Sequence, residues 1–378
     1  MTPPPLSLYI HVPWCVRKCP YCDFNSHSHT GELPEQDYLD ALLADLDLDL
    51  HAVGGRALQS IFFGGGTPSL LMPQTIGAIL DGVAARIAFA PDIEITLEAN
   101  PGTTEQQRFD GFRAAGVNRL SLGVQSLNPK HLQALGRIHD REQALGAVRQ
   151  ARRAGFDNIN LDLMHGLPGQ SVEDAAADLG AAMALEPEHL SWYQLTIEAN
   201  TEFYKRPPQL PADDTLAAIQ DHGAALLAEQ GYRQYEVSAF CRPGRSARHN
   251  RNYWLFGDYL GIGAGAHGKL THRDGRIERT RKTRLPRDYL AAAGRCERGI
   301  EAVPADELAF EFMLNALRLT DGFPRALYQA RTGLGWDTVA ATIDRLVGRG
   351  LLRETETVVA PTALGQRFLN DVLAEFLG

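Results

Sequence analysis

No stretch of this 378-residue chain runs for the roughly eighteen apolar residues that a membrane-crossing helix needs. The opening MTPPPLSLYIHVP lacks the charged, apolar and small-residue parts of a secretory leader. Together these absences predict a cytoplasmic protein. Excess positive charge is missing too. A formal net charge of −9 argues against a general polyanion binder, so no nucleic-acid partner is expected. Cysteine is scarce, with five in all, yet Cys15, Cys19 and Cys22 fall within eight residues. In a reducing compartment, clustered thiols read as metal ligands or catalysts rather than disulfides. Cys241 and Cys296 stand alone and read as ordinary thiols.

Hydrophobic residues make up 44% of the chain, enough for a sizeable core. Short β-branched or aromatic runs alternate with amphipathic helical stretches. The strands are read at LSLYIHV, ALQSIFF, IEITLEA, NRLSLGVQS, NINLDLM and HLSWYQLTI, each followed by a helical pattern. Six such units with short connections require right-handed crossovers and a parallel sheet with helices outside. The predicted class is therefore α/β, a partial (β/α)6 barrel over residues 1–235, with chemistry in the loops after the strands. Residues 236–304 break the rhythm and read as loop with short strands. From 305 to 378 three helices, a hairpin and a last helix resemble an α-rich winged-helix module. Its seven Arg and no Lys face ten acidic residues, which leaves little counterion-release affinity for DNA. It reads as a packing or docking domain.

The loop PWCVRKCPYCDFNS carries C-x3-C-x2-C. With a fourth ligand from His27 or His29 it would suit structural zinc. Three cysteines alone suit a [4Fe–4S] cluster with one iron left open. With Tyr21 as the aromatic before Cys22, the loop resembles the signature of radical S-adenosylmethionine (SAM) proteins. There the open iron binds the amino and carboxylate groups of SAM, and an electron from the cluster yields a 5′-deoxyadenosyl radical.

Other residues suit that resemblance. Gly64, Gly65, Gly66 and Thr67 follow the second strand, where glycines permit close backbone approach or a tight turn. Glu98, Gln125 and Asp162 end the third, fourth and fifth strands, and Arg137 lies beyond the fourth. Polar residues at successive strand ends face one mouth. A carboxylate can bond ribose hydroxyls, and an arginine can pair with a carboxylate.

YIHVPWCVRKCPYCDF, FFGGGTPS, EANPG, RLSLGVQS, LDLMHGLPGQ, HNRNYW and YLGIGAGAHG together resemble the oxygen-independent coproporphyrinogen III oxidase family, and within it the HemW-type haem chaperones. The resemblance implies that Cys15, Cys19 and Cys22 hold the cluster. It places Tyr9, Gly65, Gly66, Thr67, Glu98, Gln125, Arg137 and Asp162 on SAM, with Tyr21 near the adenine. Two departures separate the chain from the oxidase. Phe24 stands where the oxidase has a fourth cysteine, and only fourteen residues precede Cys15, fewer than the oxidase's longer arm. HNRNYW matches the HNxxYW of the chaperones, which implies haem at His249, Asn250, Tyr253 and Trp254. An imidazole can ligate iron, aromatic rings can face a porphyrin, and Arg242, Arg245, Arg248 and Arg251 can meet propionates.

The resulting expectation is a haem chaperone that uses a [4Fe–4S] cluster, SAM and haem. It would pass haem to acceptor proteins, respiratory and membrane-associated ones among the candidates, and so work at the membrane periphery when delivering. The alternative is coproporphyrinogen III oxidase activity. A homodimer is compatible with the sequence, which names no acceptor.

Overall fold

The computed structural model describes residues 3–292 and 299–377, which leaves Cys296 outside. Twelve strands form one sheet. In chain order they are β1 (Leu6–Val12), β2 (Leu58–Gly65), β3 (Phe89–Ala99), β4 (Arg119–Gln125), β5 (Ile159–His165), β6 (His189–Gln194), β7 (Arg233–Glu236), β8 (Ala239–Cys241), β9 (Asp258–Ile262), β10 (His267–Thr271), β11 (Ile277–Arg281) and β12 (Gly299–Ala302). Their spatial order is β12-β11-β10-β9-β1-β2-β3-β4-β5-β6-β8-β7, an open sheet. Strands β1 to β6 pair in parallel, each with the next, and form the partial barrel expected from the alternation.

Their sequences explain the packing. In β1 every residue but Tyr9 is buried, as a parallel strand covered on both faces requires. The covering helices begin with local signals. Asp140 and Gln143 form a reciprocal capping box for Arg141–Arg153, and Ser171 and Asp174 do the same for Val172–Met183.

Two features depart from the sequence reading. Strand β9, in the region read as loop with short strands, lies parallel to β1 on its outer edge and so adds a seventh parallel strand to the barrel sheet. Within that region Arg248–Trp254 is a helix. It has no side-chain cap of its own. Instead Oε1 of Glu94, on β3, accepts a hydrogen bond from the backbone N–H of Arg248 at 2.9 Å. A carboxylate at a helix start satisfies an orphan donor and suits the helix dipole. This one lies far away in sequence, so no local pattern announces it.

The C-terminal region has its own core, with Phe312, Phe323, Tyr328 and Ile343 at its centre. Phe256 and Ile277 from the barrel side belong to the same core. Helices Leu308–Ala316, Arg325–Thr332 and Asp337–Gly348 precede a hairpin of Leu352–Glu354 with Val358–Pro361. The expected last helix is two short ones, Ala363–Arg367 and Leu369–Ala374, parted at Phe368. No helix among the described residues is long and apolar enough to cross a membrane.

Candidate cofactor site

The cysteine loop leaves the C-terminal end of β1 and is tied to its neighbours by backbone. Trp14 and Cys15 pair with His27 and Ser28. The N–H groups of Gly66 and Thr67 donate to the carbonyls of Val12 and Trp14, both at 2.7 Å. A Cβ on Gly66 would lie 2.5 Å from the Trp14 carbonyl oxygen, and Gly65 has φ +111° with its Cβ position 2.5 Å from the His11 ring. The glycines are thus required by close packing of the turn against the cysteine loop and β1, a constraint their sequence alone does not disclose.

Cys15 is buried, and Cys19 and Cys22 are half-buried. All three line one cavity of about 270 Å³. Each sulfur has a polar neighbour. Thr67 Oγ1 lies 3.5 Å from Cys15 Sγ, Arg137 Nη1 3.6 Å from Cys19 Sγ, and Ser26 Oγ 3.6 Å from Cys22 Sγ. Burial pushes the Cys15 and Cys22 thiols up from their ordinary value.

Eight of the residues expected to contact SAM line the same cavity: Tyr21, Gly65, Gly66, Thr67, Glu98, Gln125, Arg137 and Asp162. Tyr9 does not. It lines an adjoining cavity and donates toward Nδ1 of His11 at 3.0 Å when that nitrogen accepts. The strand ends are less regular than their spacing implied. Gln125 adopts φ +69° where the β4–β5 register shifts, and its Oε1 accepts from the Tyr193 hydroxyl at 2.8 Å. Asp162 lies within β5 rather than at its end. Ser121 Oγ and Asn160 Nδ2 donate to it at 2.9 and 2.8 Å. Desolvation raises both cavity carboxyls, and the nearby Asp162 helps push Glu98 up to about 8. The Gly65 N–H, 3.2 Å from Glu98 Oε2, opposes that rise.

Asn100 was not singled out by the sequence reading, although EANPG contains it. Its Nδ2 donates to Thr67 Oγ1 at 3.1 Å, and its Oδ1 accepts from Arg137 Nη2 at 2.7 Å. A chain of contacts therefore runs Cys15–Thr67–Asn100–Arg137–Cys19. Nε of Arg137 is buried and has no partner among the described residues. Cysteine sulfurs spaced around a cavity, each with a polar neighbour, beside a guanidinium and two carboxyls, suit a cluster with a polar zwitterionic ligand at its open side. The zinc alternative loses its fourth ligand. His27 Nε2 contacts Asn25 Oδ1, His29 Nε2 contacts the Glu32 carbonyl, and neither ring lines this cavity. Among the described residues no three His, Cys, Asp or Glu side chains are placed to hold one metal ion.

The HNRNYW stretch lies in the helix Arg248–Trp254, which packs against β1, β2 and β9. His249 is 4% exposed, between the rings of Phe62 and Tyr253 at 4.5 and 4.3 Å, with Nδ1 buried and unpartnered among the described residues. Burial, with a smaller contribution from Arg119, lowers it to about 3. Asn250 donates to the Tyr235 hydroxyl at 3.1 Å, and Trp254 packs against the Arg318 guanidinium. Only Tyr253 of the four reaches the adjoining cavity. Two of the nearby arginines are engaged elsewhere: Arg248 with Asp92 and Arg242 over the Tyr232 ring.

The radical SAM superfamily model matches residues 9–181, and the HemN C-terminal domain model matches 303–368. A "Heme chaperone HemW" of Escherichia coli is 52% identical over 99% of this chain and 98% of its own length. One from Mycobacterium tuberculosis is 36% identical over 96% of this chain and 95% of its own length. Among solved structures, coproporphyrinogen III oxidase (HemN) from Escherichia coli superposes with a TM-score of 0.83 at 24% identity, covering 99% of this chain and 90% of that one. This last likeness concerns the fold.

Proposed function

Because this chain belongs to the HemW heme chaperone family, built on the radical SAM fold, we propose that it binds haem and transfers it to haem-dependent acceptor proteins. The observation that carries the reading is full-length identity of 52% to a named heme chaperone, with HNRNYW folded as a helix whose Tyr253 lines the cavity adjoining the cofactor site. In this reading Cys15, Cys19 and Cys22 hold a [4Fe–4S] cluster, and the helix of His249, Asn250, Tyr253 and Trp254 is part of the haem site, which it meets through Tyr253. Such a cluster supplies an open iron and a transferable electron.

The protein's own groups do the rest. Arg137, held by Asn100 and the Gly123 carbonyl, offers its guanidinium to the SAM carboxylate. Asp162, oriented by Ser121 and Asn160, and Glu98 are the candidates for ribose hydroxyls. With a value near 8, Glu98 is mostly protonated at neutral pH and can donate as well as accept. The division of the chain into a barrel over 1–235, a connecting haem-motif segment over 236–304 and a C-terminal module over 305–378 belongs to the same proposal, with the last module as the docking element. The same proposal places the protein in the cytoplasm and, with respiratory, membrane-associated proteins among its acceptors, at the membrane periphery during delivery.

Coproporphyrinogen oxidation is the less favoured reading. Phe24, at the position of the oxidase's fourth cysteine, is 61% exposed and brings no ligand or proton relay to either cavity it lines. Haem titration into anaerobically reconstituted protein, followed at the Soret band, tests the chaperone reading. Saturation near one haem per chain supports it. Absence of specific binding with the cluster intact, together with decarboxylation of coproporphyrinogen III, would replace it with the oxidase.

A further inference from the structure

The adjoining cavity holds about 620 Å³, within the usual range for small-molecule pockets, and shares Phe24, Gly65 and Glu98 with the thiol-lined cavity. Its floor is aromatic. Tyr9, Tyr253 and Tyr259 line it, and the last two rings stand 4.4 Å apart. Such surfaces suit the face of a flat macrocycle.

Its rim is cationic. His267 on β10 and Arg281 on β11 are direct partners across an antiparallel pair, so both side chains leave the same face. Arg284 follows on the same rim. The third cation, Lys282, is buried and committed to Asp45 and Asp49. Arg281 makes only a 3.6 Å contact with the exposed Glu301, and among the described residues no carboxylate pairs with Arg284. The carboxyls that line the cavity are Asp23 and Glu98, and Glu98 is held largely neutral up to about pH 8. Two guanidiniums are therefore open to an anionic ligand.

Two imidazoles line the cavity. His11 is fully engaged, Nδ1 with the Tyr9 hydroxyl and Nε2 with the Asn25 carbonyl at 2.9 Å. The side chain of His267 is exposed and makes no hydrogen bond among the described residues, its backbone being paired with Arg281. Burial of its ring, then Arg281, Arg284 and Arg279, lower it from its ordinary value, which keeps a lone pair available for a metal. His249, by contrast, is enclosed. His267 belongs to YLGIGAGAHG, a motif with no role in the cofactor site.

We propose that this cavity receives haem, with its propionates on Arg281 and Arg284 and its iron on His267. The inference rests on the haem reading above. The chemistry selected is a planar iron macrocycle with acidic substituents on one edge. Tyr253 joins the cavity to the HNRNYW helix, so the motif contributes a contact face while His267 contributes the ligand.

The test titrates haemin into the full-length, cluster-loaded protein. The variants are His267→Ala, Arg281→Gln with Arg284→Gln, and His249→Phe. The double arginine variant is expected to weaken haem binding at least tenfold. His267→Ala is expected to shift the Soret maximum, and added imidazole should restore it. Metal-free protoporphyrin IX should keep the arginine dependence and lose the His267 dependence. Cluster absorbance and melting temperature serve as folding checks. His249→Phe is expected to keep wild-type affinity and spectrum. If wild type binds one haem per chain and the His267 and arginine variants match it in affinity and spectrum, the site is wrong while the chaperone reading stands. If wild type binds none, both fall together.

Discussion

The ring of His249 lies 4.5 Å from that of Phe62, with their planes 18° apart. A histidine packed in this way behaves as a core aromatic. It is neutral in the fold, with a value near 3, and regains its ordinary value near 6.5 on unfolding. The unfolded chain thus binds the extra proton. Stability is intact above about pH 6.5 and falls as pH drops from there toward 3, by at most about 1.4 kcal/mol per pH unit from this group. His249→Phe should flatten the acid limb of melting temperature against pH between 6.5 and 5. An unchanged slope would contradict the neutral, buried state. The same variant separates packing from ligation: loss of haem in His249→Ala with retention in His249→Phe marks packing.

Glu98 predicts the opposite window. Its folded value near 8 lies above the ordinary 4.5, so the folded state holds a proton that the unfolded state has released. Stability of the ligand-free protein from this group is greatest below about 4.5 and is lost as pH rises toward 8. Glu98→Gln should remove that loss. The measurement is urea unfolding at pH 6 and pH 8.5. A wild-type minus variant difference that does not change between them would rule out the raised value.

The contacts joining Cys15 to Cys19 predict what Asn100 does. Asn100→Ala leaves all three thiols in place but frees Arg137 and Thr67 from each other. Iron and sulfide content after reconstitution should match wild type, while SAM affinity drops about tenfold, the effect of one lost charge-assisted hydrogen bond. Equilibrium dialysis with labelled SAM decides it. Loss of the cluster itself would mean that Asn100 supports the thiols rather than the ligand.

Much of the architecture was carried by local chemistry. Apolar runs of strand length alternating with capped helices specify β1 to β6, because burial on two faces and reciprocal caps such as Asp140–Gln143 are short-range properties. The grouping of Cys15, Cys19 and Cys22 in one loop is likewise local, and so is the placement of Glu98 and Gln125 at strand ends. What only the tertiary structure decided involves partners distant in the chain. Glu94 caps the helix of His249, Asn100 spans Thr67 and Arg137, β9 inserts beside β1, and His267 stands opposite Arg281. A residue's spacing records which neighbours it has along the chain. Whether a histidine is sealed among aromatic rings, as His249 is, or left open on a cationic rim, as His267 is, depends on which strands meet around it, and that is set by packing of the whole sheet.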